Sequence, residues 1–122
     1  MTSRMIHIDT YSGVNIVRRD TLPHEWLEYR EPLTDDPMLC DANRHPVRFD
    51  GVVRMKLRLA NRMYTIPFLV AENLAVEVLL GTTFLNKHIN AIRCVEQVVE
   101  LSNEESIPIL QQNDPALGRS VC

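Results

Sequence analysis

Gly51-Val52-Val53-Arg54-Met55-Lys56-Leu57-Arg58-Leu59 is the stretch whose reading decides the fold class. Val53, Met55, Leu57 and Leu59 alternate with Arg54, Lys56 and Arg58, so apolar side chains fall on one face and cations on the other. A side-chain period of two belongs to a half-buried β-strand. After Ala60-Asn61-Arg62 the pattern resumes as Met63-Tyr64-Thr65-Ile66-Pro67-Phe68-Leu69-Val70, rich in residues that fit a pleated surface. Asn61 can supply turn geometry between the two runs, and together they predict a hairpin. Pro67 has no N–H to give to a ladder, which places it at an edge or an irregularity of the second strand. Arg54, Lys56 and Arg58 read as a solvated strand face rather than a nucleic-acid stripe.

Downstream, Val76-Glu77-Val78-Leu79-Leu80 is a short apolar run that stops at Gly81. Thr82-Thr83 then precedes Phe84-Leu85-Asn86-Lys87-His88, where a threonine hydroxyl could cap one short helix with Phe84 and Leu85 facing inward. Ala91 to Val95 and Gln97 to Leu101 give two more short β-type runs, and Cys94 within the first reads as a buried small hydrophobe. Upstream, Leu22 to Phe49 is proline-rich and acidic, with Trp26 and Tyr29 as its large aromatics besides the terminal Phe49. Asp41-Ala42-Asn43-Arg44-His45-Pro46 concentrates turn formers and suits a hairpin tip. The expected class is mainly β, with a folded domain over 1–102 and a polar tail or linker over 103–122.

The 122 residues suffice for one domain, and 45% hydrophobic with 24% charged residues is ordinary globular usage. A net charge of -3 gives the whole chain no attraction for phosphate backbones or anionic lipid, so neither nucleic acid nor a membrane is the expected partner. No apolar run approaches the roughly 20 residues needed to cross a bilayer. Three widely separated cysteines suit a reducing, intracellular setting better than a secreted disulfide framework. Of the cysteines and four histidines, Cys40 and His45 alone fall at a zinc-ligand interval, and one loose pair is not a site. The four glycines form no phosphate loop, so no metal and no cofactor is expected.

What remains is an apolar approach to an acid, Met5-Ile6-His7-Ile8-Asp9-Thr10, with Leu79-Leu80-Gly81-Thr82-Thr83-Phe84-Leu85 far downstream and a hairpin between. Each is weak alone. In this order they resemble the retropepsin family of aspartic proteases, especially those encoded by long-terminal-repeat retrotransposons, and Gly13 to Pro23 resembles the segment just after the active-site loop in those enzymes. The resemblance spans Met5 to Leu101 and implies a retropepsin-like half-barrel. It further implies an endopeptidase in which each chain supplies one catalytic aspartate, here Asp9, and a homodimer completes the pair. Two adjacent carboxylates resist double ionisation and share a proton, so one acts as base toward water and the other as acid. By the same resemblance Thr10 ties the two loops together across the axis, and Tyr11, Ser12 and Gly13 complete the active-site loop. Leu79, Leu80 and Gly81 pack beneath that loop. Asp41, Ala42, Asn43, Arg44 and His45 form a flap over a peptide or polyprotein substrate.

Two departures matter. The family reads Asp-Thr-Gly or Asp-Ser-Gly, whereas Tyr11 follows Thr10 here, and a phenol ring would compete for space that glycine leaves open. Aligning Gly13 to that glycine instead would displace Asn15 from the family's downstream position. Only eight residues precede Asp9, so the N-terminal strand pair of the family is expected to be missing from the 122 residues. The expectations are therefore an aspartic endopeptidase whose activity is open, a non-catalytic dimerisation or peptide-binding module derived from one, or an unrelated small β-barrel adaptor.

Overall fold

The computed structural model describes residues 5–33, 39–40 and 43–109. The fold is mainly β. Its larger sheet has five strands in the order β1-β5-β2-β4-β3: β1 (Ile6–Ile8), β2 (Ile16–Arg18), β3 (Phe49–Leu59), β4 (Arg62–Ala71) and β5 (Val78–Leu80). A second sheet joins β6 (Ile89–Arg93), β7 (Val98–Leu101) and β8 (Ser106–Pro108). Where the sequence predicts one short helix there are two, α1 (His24–Leu27) and α2 (Thr82–His88), with a 3-10 turn at Arg19–Thr21. The expected tail boundary at Asn103 is overrun by β8, which pairs with β7 from Val98↔Pro108 to Glu100↔Ser106; residues 110–122 lie outside the described residues.

The hairpin lies where the alternation puts it. β3 and β4 pair antiparallel from Val52↔Leu69 to Leu59↔Arg62, and Tyr64, Ile66, Phe68 and Val70 are buried on one face of β4 while Met63, Thr65 and Pro67 are exposed on the other. The turn differs in detail, because Ala60, not Asn61, takes the left-handed conformation at φ 55. Pro67 sits within β4, but β2 pairs with β4 only from Leu69 onward, so no second strand asks Pro67 for an N–H. The register slips between Phe49 and Val52, and Gly51 occupies the irregularity at φ 124, where an added Cβ would lie 2.7 Å from the Glu31 carbonyl oxygen.

β2 lies between β4, to which it runs parallel, and β5, to which it runs antiparallel; β5 in turn pairs parallel with β1. This arrangement brings the start of the described chain against a strand some seventy residues later. The main core gathers Val17, Val53, Phe68, Val70, Leu80, Phe84 and Leu101, and a smaller cluster on the other side of β5 and β2 holds Ile16, Val47, Ala71 and Leu79. α2 buries Phe84 and Leu85 as its sequence requires, and Tyr64 meets Phe84 edge-on with ring centroids 5.5 Å apart. Cys94 is exposed in the β6–β7 turn rather than buried, because the strand ends one residue earlier, at Arg93.

Candidate active site

β1 delivers Asp9. Ile8 pairs with Leu80 in the parallel ladder, and one step on the Asp9 N–H donates to the Leu80 carbonyl at 3.0 Å, so the acid leaves the sheet at the level of Gly81. Its side chain turns inward, and Asp9 is 3% exposed. One carboxylate oxygen, Oδ1, accepts the Tyr11 N–H at 2.8 Å. The other, Oδ2, is buried and makes no hydrogen bond among the described residues. A buried acceptor left without a donor costs about 1–3 kcal/mol, more if charged, so this oxygen is the feature of the site that most demands explanation.

The loop after Asp9 is held by residues from the far end of the chain. Gly81 N–H donates to Asn15 Oδ1 at 2.9 Å, Thr82 N–H to the Ser12 carbonyl at 2.7 Å, and the Thr83 hydroxyl to the Gly13 carbonyl. Ser12 is buried and bonds locally, its hydroxyl donating to the Val14 carbonyl at 2.9 Å. Gly81 must be glycine for a steric reason: a Cβ there would lie 2.3 Å from the Val14 oxygen and 2.6 Å from the Ser12 oxygen, both backbone atoms with little freedom to retreat. Leu79 and Leu80 are fully buried on opposite faces of β5, one in each core cluster. The loop and the Leu79-Leu80-Gly81 element thus form one hydrogen-bonded unit.

Thr10 is exposed beside Asp9, at the mouth of an apolar groove of about 480 Å³ lined by Ile8, Leu80, Ile92, Val99 and Ile107. Tyr11 is 62% exposed, so its ring projects from the loop rather than into the core, and Gly13 has open space around it. Of the expected flap, Asp41 and Ala42 lie outside the described residues. Asn43, Arg44 and His45 form an exposed turn between Cys40 and Pro46, which bridge antiparallel, and Val47 N–H donates to the Leu39 carbonyl at 2.8 Å. Arg44 takes φ 64 at this tip.

Two of the residues that build the loop, Asn15 and Thr83, are noted in the sequence but not as residues that clamp it. Asn15, buried, and Thr83 make the long-range bonds to Gly81 and Gly13. Asn15 carries a signal, being a polar residue directly ahead of the apolar Ile16-Val17, where a buried amide needs a partner. Thr83 has the sequence position of a helix cap, but α2 has Gly81 at its N-cap and no side-chain capping bond. Among the described residues no three His, Cys, Asp or Glu side chains gather as a metal site, and no helix is long and apolar enough to cross a membrane.

No protein-family model matches the chain, and no curated protein matches its sequence. A solved structure does match: the crystal structure of the retroviral protease-like domain of Ddi1 from Leishmania major superposes with a TM-score of 0.66 at 17% identity, over 91% of this chain and 87% of that one. The fold is retropepsin-like. The order of strand, Asp9 loop, hairpin and Leu-Leu-Gly strand is that of the expected half-barrel, with no strand before β1 among the described residues.

Proposed function

We propose that the chain is one half of an aspartic endopeptidase, with Asp9 as its single catalytic carboxylate and a second copy supplying the other. The observation that carries this reading is Asp9 Oδ2, buried with no hydrogen bond among the described residues at the end of a loop clamped from two sides. Once the loop turns this oxygen outward, a second Asp9 brought against it across a two-fold axis would satisfy it through a shared proton. The same pairing supplies the chemistry: one carboxylate takes a proton from water as it attacks the peptide carbonyl while the other, protonated, donates to the carbonyl oxygen; the first then passes its proton to the leaving nitrogen as the C–N bond breaks, and the diol returns a proton to the second.

Thr10 supports the reading by its exposure next to Asp9, where its hydroxyl can reach the partner's loop. The groove beside it offers apolar surface for a partner to bury. Leu79, Leu80 and Gly81 hold the loop, Ser12 and Gly13 give it shape, and the turn at Asn43, Arg44 and His45 belongs to the flap. Tyr11 stands at the loop's surface where the second copy and an extended polypeptide substrate would both approach, and it restricts that approach. A retroelement polyprotein is the substrate class that the sequence resemblance suggests.

The test is cleavage of a peptide library by the purified chain, beside Asp9→Asn and Tyr11→Gly variants, with a transition-state-mimicking aspartic protease inhibitor as control. Asp9→Asn should abolish turnover, and Tyr11→Gly should raise inhibitor-sensitive turnover at least tenfold, the equivalent of about 1.4 kcal/mol of barrier. Cleavage that survives Asp9→Asn would sink the proposal. Folded, dimeric variants that never cleave would point instead to a binding module that keeps the fold without the chemistry.

A further inference from the structure

Away from Asp9, a second concavity lies between α1 and β3, with a volume of about 410 Å³ and walls of Glu25, Trp26, Tyr29, Glu31, Val53 and Arg54. It shares no residue with the loop or its groove. Trp26 is the chain's single tryptophan, yet it is 37% exposed, and Tyr29 is 82% exposed three positions later. Two large aromatics thus face solvent within one hollow, and aromatic side chains are enriched where proteins bind partners.

The backbone around them is fixed. Trp26 N–H donates to the Pro23 carbonyl at 3.0 Å and Tyr29 N–H to the Trp26 carbonyl at 3.2 Å, while the neighbouring Leu27 of α1 is buried in the main core. Glu31 and Val52 exchange N–H···O bonds of 2.7 and 2.9 Å, and Arg30 ion-pairs with Asp50 of β3 at 3.5 Å, so the far wall is stitched to the sheet. The aromatic rings therefore stand on a rigid frame with Val53 as an apolar floor.

The charge of the walls says what would fit. Glu25 has no ion-pair partner among the described residues. Glu31 has only Arg54, at 3.4 Å, with both side chains more than half exposed, a contact weak enough for another cation to displace. Carboxylates beside open indole and phenol faces attract a cation twice over, by charge and by the negative face of each ring. We propose that this cleft binds a lysine or arginine side chain presented by a polypeptide, its alkyl stem against Trp26 and Val53 and its charged head toward Glu25 and Glu31. The site goes beyond the proteolytic reading and does not depend on Asp9.

Because Trp26 is the chain's single tryptophan, its fluorescence reports on this cleft alone. Titrating the full chain with an end-blocked peptide of glycine-spaced lysines should give a saturable change in emission that weakens with added salt. The matching glutamate peptide should give none. Glu25→Gln and Tyr29→Ala, both at exposed positions and checked for folding by circular dichroism, should each weaken binding about two- to fivefold, and Asp9→Asn should leave it unchanged. The proposal is overturned if the glutamate peptide gives the same response, if both cleft variants bind the lysine peptide as tightly as the original chain, or if no saturable response appears up to millimolar peptide.

Discussion

At the scale of single residues, Gly81 and Asn15 determine whether the Asp9 loop exists at all. Alanine at 81 would press its methyl into the Val14 and Ser12 carbonyls, and relief requires the loop itself to move. Gly81→Ala should therefore destabilise the fold by about 3 kcal/mol, read as a lower urea midpoint at unchanged slope. Asn15→Ala removes the acceptor for a buried N–H and should cost about 1–3 kcal/mol in the same measurement. Ala60 points the other way. It is held at φ 55 in the β3–β4 turn, where an L-residue pays roughly 1–2 kcal/mol, so Ala60→Gly should raise the melting temperature slightly despite the lost methyl contact. This turn also marks a limit of sequence reading: Asn61 is the better left-handed residue, yet it is Ala60 and not Asn61 that has the positive φ.

Among elements, the strands with a clear period are legible in the sequence and the short ones are not. The alternation from Val53 to Leu59 fixes β3 because only one face is buried, whereas β1, β2 and β5 are three residues each and show no period from which to read a direction or a neighbour. Asp9 and Leu79-Leu80-Gly81 can be picked out as residues, but their contact depends on β1 and β5 running parallel, a long-range choice no local pattern encodes. α1 escapes notice because four residues carry no helical repeat, and β8 because a three-residue strand in a polar stretch carries no alternation. α2 yields a pH prediction. His88 packs against Tyr64 and Phe84 with ring centroids 4.8 and 4.7 Å away, and its pKa is lowered from 6.5 by burial, then by Lys87 and Arg62. The folded protein thus binds this proton less readily than the unfolded chain does. Its contribution to stability is complete above pH 6.5 and is lost as the pH falls from there toward the depressed folded value. Thermal melts across that window should show the loss, and His88→Gln should flatten the part of the slope that belongs to this side chain.

For the whole molecule, the proposed function, with one catalytic carboxylate per chain, would make assembly and activity the same question. If two copies build the site, specific activity should rise with protein concentration until the dimer saturates, and sedimentation should place that transition at the same concentration. Adding excess Asp9→Asn chain to the original should suppress activity beyond simple dilution, since each mixed pair holds one acid. Activity strictly proportional to concentration across the dissociation range would contradict a shared site. The separation between the loop and its clamps also sets a clock. Asn15 is bonded 66 positions away and Gly13 70 positions away, so a chain emerging from the ribosome carries Asp9 without the geometry around it. At about 5–20 residues per second that interval lasts on the order of 4–14 s, during which the acid belongs to an unformed loop. Any chemistry proposed for Asp9 would thereby be deferred until most of the described strands have been synthesised.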